Sequence, residues 1–400
     1  MSLKLFDTYL SYGRKVANLA FRKKSTNETF EAGFSRVDAG DTSGATVFRN
    51  GQLIELAEDE PDWDDLNGCP VLKIRPEAQN LEGNAGIPEN WYNDVVIPSN
   101  EGAFELFPSY YWGKYTQVSA SNNVGLFYSL FSGSENWVIS FFVKISESND
   151  YIGIRETGGG VGVVQFSTET VKTSGGGISS IEKIDTTDND IKLIIVKGTS
   201  QGGGNIFLTL CSSTGSFLVN DGTSFQLTGL QLIEGNEYTG HIPTYGTSVT
   251  RSANSFEFTD LVTKRVVGAN GEFSFLFNFQ NYLAGGLSGD RASSFFDSSN
   301  DEILDLWGVG NGYLLRDRKS NITLFGSVSK TSAIITFDGQ TLKFYDVSGL
   351  IGSYDFVSSH ITTKWQFRAS DNYCEIKGGS LAFAPTVLTE AQAIAALNEL

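Results

Sequence analysis

Three consecutive aromatic residues, Tyr110, Tyr111 and Trp112, form the part of the sequence best suited to hold a ligand. They lie in FPSYYWGKYT, a stretch rich in strand-forming residues. Neighbouring side chains alternate between the two faces of a strand, so the three rings cannot all face one core. An exposed Tyr or Trp ring can stack on a sugar while its polar tip makes hydrogen bonds. We therefore predict a glycan contact at these rings, with inter-sheet packing or a subunit interface as the alternatives.

Groups suited to catalysis or to tight metal binding are scarce. Neither histidine, His241 or His360, lies in a nucleophile motif such as G-x-S-x-G, so no catalytic triad is predicted. Both histidines are interpreted as exposed or structural. Zinc sites need clustered His and Cys, and the sequence contains no such cluster. The glycine-rich stretches lack the G-K-[ST] that holds phosphates and are interpreted as hairpin turns. We predict no enzymatic activity and no cofactor.

Acidic residues cluster at three places. Asp185, Asp188 and Asp190 in DTTDND could ligate calcium through carboxylate and carbonyl oxygens, as could DSSNDE at 297–302. A denser cluster could form a calcium loop or a glycosidase carboxylate pair, but its spacing fits no EF-hand and shows no evident acid pair. Its members are Glu55, Glu58, Asp59, Glu60, Asp62, Asp64 and Asp65. We interpret all three clusters as polar, solvated turns and predict no metal site, with Asp185, Asp188 and Asp190 as the calcium candidates.

The first 24 residues are basic in an otherwise acidic chain. They hold six cations and one anion, so a chain of net charge −17 divides into a segment of +5 and a remainder of −22. Apolar residues at helical spacing lie between these cations, which predicts a helical N-terminal arm over residues 1–30. The arm either packs on its own protein or anchors the chain in another one. The residues predicted to form the anchor are Leu5, Tyr9, Arg14, Lys15, Val16, Arg22, Lys23 and Lys24.

The remainder of the sequence predicts an all-β protein. The 44 Gly and 29 Phe of the whole chain accompany strand-length runs that are separated by Gly, Asn, Asp and Ser clusters. Four hundred residues exceed what one core usually supports, and a turn-rich segment at Gly229–Asn254 interrupts the pattern near its midpoint. We predict a connecting region at 31–90 and two antiparallel β-sandwiches, jelly-roll or lectin-like, at 91–245 and 246–400.

Other sequence features concern the C-terminus, the compartment and the partners. Thr389 and Gln392 form a capping box, which predicts a short C-terminal helix. The acidic body would repel nucleic acid and anionic membranes. The sequence contains no run of eighteen apolar residues, so membrane insertion is not predicted. The N-terminus has no signal-peptide pattern, and Cys69, Cys211 and Cys374 do not form a disulfide framework. These features predict assembly in a reducing cytoplasm.

Several segments resemble bacteriophage tail-fibre and head-fibre-like proteins. VFRNGQLIELAEDEPDWDD and GCPVLKIRPEAQNL are similar to one segment of these proteins, and SFFVK at 140–144 is similar to a strand of the sandwich that follows it. LAFAPTVLTEAQAIAAL resembles the last strand and terminal helix of laminin-G or concanavalin-like domains. The midpoint segment resembles a junction motif of the fibre proteins, but His241 stands where they usually have Tyr. Its matching positions are Gln231, Glu234, Gly235, Tyr238, Thr239, Ile242, Pro243, Thr244, Gly246, Val249, Thr250 and Arg251.

The resemblance implies a structural protein of a phage virion, either a fibre or a decoration protein of the tail or head. It implies a carbohydrate-binding-module-like first sandwich, a lectin-like second one and a role in adhesion to the host surface. The expected partners are other virion proteins through the N-terminal arm, further copies of the chain with a trimer favoured, and a host glycan. The alternative is a tail-fibre enzyme that depolymerises a surface polysaccharide with two carboxylates in a groove. Since the sequence has no parallel β-helix repeat and no evident acid pair, the non-enzymatic role is preferred.

Overall fold

A computed structural model describes most of the chain, and it is mostly β. All described strand pairs are antiparallel, so the predicted all-β class is confirmed. Among the residues that the structure describes, no helix has the length and apolar character needed to cross a bilayer. The structure describes residues 5–11, 20–36, 46–57, 60–65, 71–75, 77–81, 96–117, 121–122, 125–131, 136–156, 161–173, 177–200, 204–211, 218–219, 224–236, 238–278, 280–284, 290–309, 312–317, 322–328, 332–368, 372–377 and 381–399.

The elements are numbered in chain order. The first strands are β1 (Thr8–Ser11), β2 (Ala20–Lys23), β3 (Thr29–Glu31), β4 (Gly33–Arg36), β5 (Thr46–Arg49), β6 (Gln52–Glu55), β7 (Trp63–Asp64), β8 (Val71–Ile74), β9 (Ala78–Asn80), β10 (Val96–Ala103), β11 (Tyr111–Gln117), β12 (Ser121–Asn122), β13 (Gly125–Phe131), β14 (Asn136–Lys144), β15 (Tyr151–Glu156), β16 (Val161–Gln165), β17 (Thr170–Thr173) and β18 (Ile178–Asp185). A 3-10 turn, Ile145–Glu147, follows β14.

The later elements are β19 (Ile191–Thr199), β20 (Gly204–Leu210), β21 (Leu218–Val219), β22 (Ser224–Glu234), β23 (Val249–Arg251), β24 (Asn254–Phe258), β25 (Phe273–Asn278), β26 (Gln280–Ala284), β27 (Asp290–Asp297), β28 (Glu302–Val309), β29 (Gly312–Asp317), β30 (Ile322–Val328), β31 (Ser332–Phe337), β32 (Thr341–Asp346), β33 (Gly349–Asp355), β34 (Thr362–Arg368), β35 (Asn372–Lys377), β36 (Leu381–Ala384) and the helix α1 (Glu390–Leu397).

The chain forms two compact units, named here by their place in the sequence. The terminal unit comprises Met1–Gly40, Ala57–Glu77 and Ser252–Leu400, and the central unit comprises Asp41–Leu56 and Ala78–Arg251. The region predicted to connect the arm to the first sandwich supplies strands to both: β4, β7 and β8 belong to the terminal unit, and β5, β6 and β9 to the central unit.

The terminal unit is built on two large sheets and one smaller sheet. Their strand orders are β3-β2-β1-β36-β25-β31-β32-β33, β30-β29-β28-β27-β34-β24-β4 and β26-β35-β8-β7. One hydrophobic core receives side chains from all three sheets, and aromatic rings dominate it. Phe21 stacks on Phe258 with ring centroids 4.4 Å apart, and Trp365 meets Phe256 edge to face at 5.3 Å. The phenylalanine-rich runs of the sequence therefore fill an interior between sheets.

The predicted helical N-terminal arm is not confirmed, because its described residues form strands. Phe6, Thr8 and Leu10 are buried, and this spacing of two is the period of a strand rather than of a helix. β1 pairs with β2 on one side and with β36 on the other. Strands from both ends of the sequence therefore lie side by side in one sheet. Tertiary pairing overrides the helical spacing of the apolar residues, and Gly13 weakens a helix in any case.

The predicted C-terminal helix is confirmed over Glu390–Leu397. The backbone N–H of Gln392 donates to the Thr389 hydroxyl, and the Thr389 N–H donates to the Gln392 side chain, which completes the capping box. Ala393, Ala396 and Leu397 bury one side of the helix. They form a small second core with Phe6 and residues of the eight-stranded sheet.

The central unit contains a six-stranded and a five-stranded sheet with the orders β10-β11-β22-β14-β19-β18 and β13-β20-β15-β16-β17. Strand β14 shows how the sequence selects its faces. Trp137, Ile139, Phe141 and Val143 alternate along it and enter the hydrophobic core that both sheets share. Because the side chains between them are also buried, the other face of the six-stranded sheet must be covered too. That second face positions the candidate site.

Candidate ligand-binding site

The three rings predicted to contact a glycan separate in the structure. Tyr110 and Trp112 are buried, whereas Tyr111 has 42% of its surface exposed. Trp112 packs edge to face on Phe104 at 5.0 Å between ring centroids, and its indole N–H donates to a Glu105 carboxylate oxygen at 2.5 Å. Of the three rings, only Tyr111 is therefore open to direct contact with a ligand.

The two buried rings belong to an aromatic layer on the outer face of the six-stranded sheet. Phe142 points to this face from β14, since its neighbours Phe141 and Val143 point into the core between the sheets. Its ring lies 4.9 Å from Phe104 and 6.0 Å from the ring of His241. We call this set the outer-face cluster; its members are Phe48, Phe104, Phe107, Tyr110, Trp112, Phe142 and His241.

His241 is a buried member of this cluster and not an exposed histidine. Its Nε2 lies 2.8 Å from the Tyr110 hydroxyl. The Tyr110 oxygen also accepts a hydrogen bond from the Thr244 backbone N–H, and the tautomer of His241 sets which group donates in the bond between the two rings. Among the described residues, Nδ1 of His241 has no hydrogen-bond partner. Desolvation by burial lowers the pKa of His241 to about 3, so its ring is neutral at physiological pH.

Tyr245 marks the exposed end of this aromatic layer. Its ring packs edge to face on Tyr110, with centroids 6.0 Å apart, and 48% of the residue surface is exposed. The Tyr245 hydroxyl lies beside the Glu55 carboxylate and the Ser109 hydroxyl. Burial raises the pKa of Tyr245 to about 12, and it raises the pKa of Glu55 against the opposing effect of the Tyr245 hydroxyl. One side of the ring thus packs on Tyr110 while the residue faces solvent.

A shallow, open cleft of about 570 Å³ lies on the surface of the central unit. Side chains with amide, hydroxyl or carboxylate groups make up most of its wall. The lining residues are Asn50, Gly51, Gln52, Glu105, Leu106, Thr187, Asp188 and Asn189. Such a wall offers many hydrogen-bond donors and acceptors to a polar ligand.

The cleft depends on the tight hairpin between β5 and β6. Asn50 and Gly51 have φ angles of 52° and 80°, the left-handed pair that a two-residue hairpin turn requires. A side chain at Gly51 would collide with Thr187, whose hydroxyl donates to the Gly51 carbonyl at 3.0 Å. The Asn-Gly pair in the sequence thus places one wall of the cleft against the 187–189 turn.

Both carboxylates that line the cleft have structural contacts. One oxygen of Glu105 accepts from the Trp112 indole, and the other lies 3.7 Å from the Lys144 ammonium. Asp188 accepts a hydrogen bond from the Asp190 backbone N–H at 2.9 Å. These contacts orient the two groups as fixed acceptors.

The calcium candidates have other partners. Asp185 pairs with Lys192 at 3.1 Å, and Asp190 accepts from the hydroxyl and backbone N–H of Ser146. The Ser146 hydroxyl lowers the pKa of Asp190 by its hydrogen bond. Within the described ranges, no three His, Cys, Asp or Glu side chains are arranged to hold a metal ion.

The interpretation of the acidic stretch as a solvated turn is wrong for two of its residues. Asp62 is buried 3.0 Å from the Arg75 guanidinium, and Asp64 is buried 3.0 Å from the Lys73 ammonium. Buried carboxylates need such partners because the loss of hydration is costly. The Arg and Lys lie in the strand segment that follows the turn, where spacing alone does not reveal the pairing. Glu58 and Asp59 lie outside the described residues.

The residues predicted to anchor the chain have mixed environments. Leu5 is 38% exposed, and the side chains of Arg22 and Lys24 are exposed. Lys23, by contrast, is buried, with its ammonium 3.2 Å from the Arg265 carbonyl and 4.0 Å from the Asp7 carboxylate. Tyr9 lies in β1, whereas Arg14, Lys15 and Val16 fall outside the described residues.

The junction motif forms a buried hydrogen-bond network. Gln231 donates to the Gly240 carbonyl at 3.0 Å and accepts from the Ile242 N–H at 2.6 Å. Arg251 donates to the backbone carbonyl and hydroxyl of Thr239 at 2.9 and 2.8 Å. The matching positions of the motif therefore include side chains that satisfy the polar backbone of a compact turn-rich segment. This network fixes the backbone on both sides of His241.

Comparison with known proteins identifies no family for this chain. No protein-family model matches it, and no curated protein matches it. No motif in the sequence singles out Tyr245, Ser109 or Asn189 as candidate site residues. The signal that could have identified Tyr245 is a single aromatic residue in an otherwise polar turn after Pro243.

Proposed function

We propose that the chain is a structural protein of a bacteriophage virion, a fibre or decoration protein of the tail or head, which binds host-surface glycans. The cleft of the central unit is the observation that carries this proposal. Its amide, hydroxyl and carboxylate groups match the alternating donors and acceptors of sugar hydroxyls. Its open, polar wall suits a hydrated ligand better than an apolar cofactor.

The architecture that accompanies this proposal is a pair of antiparallel β-sandwiches of jelly-roll or lectin-like type. In each unit, one hydrophobic core receives side chains from more than one sheet. This supports sheet layers packed around a shared interior. The net charge of −17 supports a protein that stays soluble at a crowded particle surface.

Attachment to other virion proteins is assigned to the N-terminal segment, and the chain is proposed to assemble as a trimer. The exposed Arg22 and Lys24 and the local charge of +5 support a contact with an acidic neighbouring surface. The mass of the purified chain in solution tests the trimer, and cryo-electron microscopy of the particle tests the location.

Binding without cleavage is the preferred activity. Glu105 and Asp188 are oriented by local partners, and a fixed hydrogen-bond acceptor is what a glycan hydroxyl requires. The experiment is a glycan array probed with the full chain and with the variants Gln52→Ala and Asn189→Ala. Both variants should reduce the signal, because both side chains line the cleft.

The control is Lys172→Ala, an exposed residue of β17 in the five-stranded sheet, which should leave the signal unchanged. Wild-type binding that both cleft variants retain would remove the cleft from the proposal. A chain that binds no glycan on the array would contradict the adhesion role. Release of reducing sugar from a bound polysaccharide would instead identify a depolymerase.

A further inference from the structure

The turn between β5 and β6 is an asparagine followed by a glycine, and asparagine is among the chemically labile residues. Glycine has no side chain to obstruct an attack of its backbone nitrogen on the asparagine before it. The Asn-Gly pairs of the sequence begin at Asn50, Asn67, Asn270 and Asn311. The structure describes both residues of the pairs at 50–51 and 270–271, so the same two residues can be compared in two environments.

The pair at 50–51 lies at the surface and its glycine nitrogen is not engaged. Asn50 is exposed, and Gly51 is half-buried. Among the residues that the structure describes, the Gly51 N–H donates no hydrogen bond. The Thr187 hydroxyl tethers the turn by donating to the Gly51 carbonyl at 3.0 Å. Attack by the Gly51 nitrogen therefore breaks no hydrogen bond of that nitrogen.

The pair at 270–271 is protected by its surroundings. The Gly271 N–H donates to the Gly268 carbonyl at 3.0 Å, and the Asn270 N–H donates to a Glu272 carboxylate oxygen at 2.9 Å. Gly271 is buried, and a Cβ placed on it would lie 2.7 Å from the Ile361 Cα. Attack by the Gly271 nitrogen would require that its hydrogen bond break and that packed backbone move.

We propose that Asn50 is a site of spontaneous deamidation and that this modification alters the wall of the cleft. The Gly51 nitrogen gives its proton to a solvent base and bonds to Cγ of Asn50. The bond from Cγ to Nδ2 breaks, and Nδ2 leaves as ammonia with a proton from solvent. The reaction joins neighbouring residues in a five-membered succinimide ring, so it is intramolecular.

Water then opens the ring at one of its two carbonyl carbons. Opening at Cγ gives aspartate, and opening at the backbone carbonyl gives isoaspartate, in which the chain continues through the side chain. The net change is the uptake of one water molecule and the release of one ammonia molecule, with no oxidation or reduction.

Either product changes the chemistry of the cleft, because Asn50 lines it. The amide has two N–H donors, whereas a carboxylate has none and is charged at neutral pH. Glu105 and Asp188 already line the cleft, so its wall gains a third carboxylate. Isoaspartate also lengthens a two-residue turn that contacts Thr187. The modified protein is therefore expected to bind its ligand less well, a consequence that rests on the proposed glycan-binding function.

Peptide mapping by liquid chromatography and mass spectrometry tests the site. The full chain is incubated at pH 6 and at pH 9, and the Asn, Asp and isoaspartate forms of each Asn-Gly peptide are quantified over time. Conversion of Asn50 should be faster at pH 9, because base removes the Gly51 N–H proton. It should exceed conversion of Asn270 by about 2- to 10-fold, the factor that corresponds to the hydrogen bond of the Gly271 nitrogen.

Variants and a denatured reference separate the effect of the fold from that of the sequence. In guanidinium chloride, the two pairs should convert at similar rates. Asn50→Gln lengthens the side chain and should abolish conversion at position 50 while Asn270 keeps its rate. Thr187→Val removes the hydroxyl that holds the Gly51 carbonyl and should speed the conversion of Asn50. Circular dichroism and the melting temperature check that each variant retains its fold.

Two results would overturn the site: conversion of Asn50 only in guanidinium chloride, or equal rates for Asn50 and Asn270 in the folded chain. The effect on the cleft is measured on the glycan array, where incubated wild type should lose signal relative to fresh protein and incubated Asn50→Gln should not. Equal signals for fresh and converted wild type would overturn that effect. If fresh protein binds no glycan, the proposed function falls, whereas the mass measurement still decides the modification site.

Discussion

The Tyr110 hydroxyl and the His241 imidazole lie 2.8 Å apart although 131 residues separate them in the sequence. One comes from the aromatic stretch that suggested a ligand site, and the other from the turn-rich segment near the midpoint. Their hydrogen bond fastens the turn that carries Glu105 and Ser109 to the segment that carries Tyr245. The hydrogen bond of a buried, neutral histidine therefore helps to position the residues of the candidate binding site.

The burial of His241 predicts a loss of stability in acid. Its pKa is about 3 in the folded protein and 6.5 in an unfolded chain, so only the unfolded state binds the proton between these values. The free energy of unfolding should fall as the pH drops through this window, by about 1.4 kcal/mol per pH unit from this residue. Above pH 6.5 the residue should contribute no pH dependence.

Urea denaturation of the full chain between pH 4 and pH 8 measures this slope. His241→Gln retains a partner for the Tyr110 hydroxyl but removes the titrating ring, so its acid slope should be shallower than that of the wild type. Lys172→Ala keeps His241 and truncates only an exposed side chain, so it serves as the control, with the steep slope retained. Equal slopes for His241→Gln and wild type would show that protonation of His241 does not limit acid stability.

The aromatic stretch predicts opposite effects for neighbouring substitutions. Trp112→Ala removes a buried ring from the outer-face cluster and should lower the free energy of unfolding by about 3–5 kcal/mol. Tyr111→Ala removes an exposed ring and should change it by less than about 1 kcal/mol. Thermal and urea unfolding of the two variants make the comparison. Similar losses for both would contradict the placement of Tyr111 at the surface.

Gln231 allows a test of the junction network. Gln231→Ala leaves the Gly240 carbonyl and the Ile242 N–H buried without their partner, and each such group costs about 1–3 kcal/mol. We expect a loss of about 2–6 kcal/mol in urea denaturation. The matched control, Gln79→Ala, truncates an exposed glutamine of β9 and should change stability by no more than about 0.5 kcal/mol. A near-neutral Gln231→Ala would mean that water or a rearranged backbone satisfies these groups.

Local patterns in the sequence were sufficient to predict several features. Gly-rich turns between Phe-rich runs predicted the all-β class, and Thr389 with Gln392 predicted the C-terminal helix, because both signals act between near neighbours. The alternation argument also predicted that Tyr110, Tyr111 and Trp112 could not share one environment. It could not say which ring would be exposed, because that depends on the β5–β6 hairpin and on His241, which are distant in sequence.

The remaining differences also come from long-range pairing. Leu5 and Tyr9 have helical spacing, but β1 pairs with β36, which lies more than 370 residues later. Asp62 looked like part of a solvated turn, but Arg75 neutralises it inside the protein. Tyr245 and Glu55 come together from different segments of the central unit. None of these contacts leaves a periodic signal in the local sequence.

The position of the N-terminal strands changes how an anchor must be tested. Deletion of residues 1–30 would remove the buried Phe6, Leu10 and Phe21 and leave β36 without one of its neighbours. Since each such side chain contributes about 1.5–3 kcal/mol when buried, the deletion should destabilise the terminal unit by several kcal/mol. Loss of particle incorporation by that variant would not separate attachment from folding.

Charge reversal at exposed positions avoids this problem. Arg22→Glu with Lys24→Glu changes two surface residues and should alter the melting temperature little, since exposed substitutions usually cost no more than about 0.5 kcal/mol each. If this surface binds an acidic virion protein, the double variant should fail to incorporate into particles, and wild-type binding should weaken as salt rises. Lys172→Glu with Lys343→Glu makes the same change in net charge at other exposed sites and should incorporate normally. Full incorporation of the Arg22 and Lys24 variant would reject this attachment surface, and failure of the control as well would trace the effect to net charge.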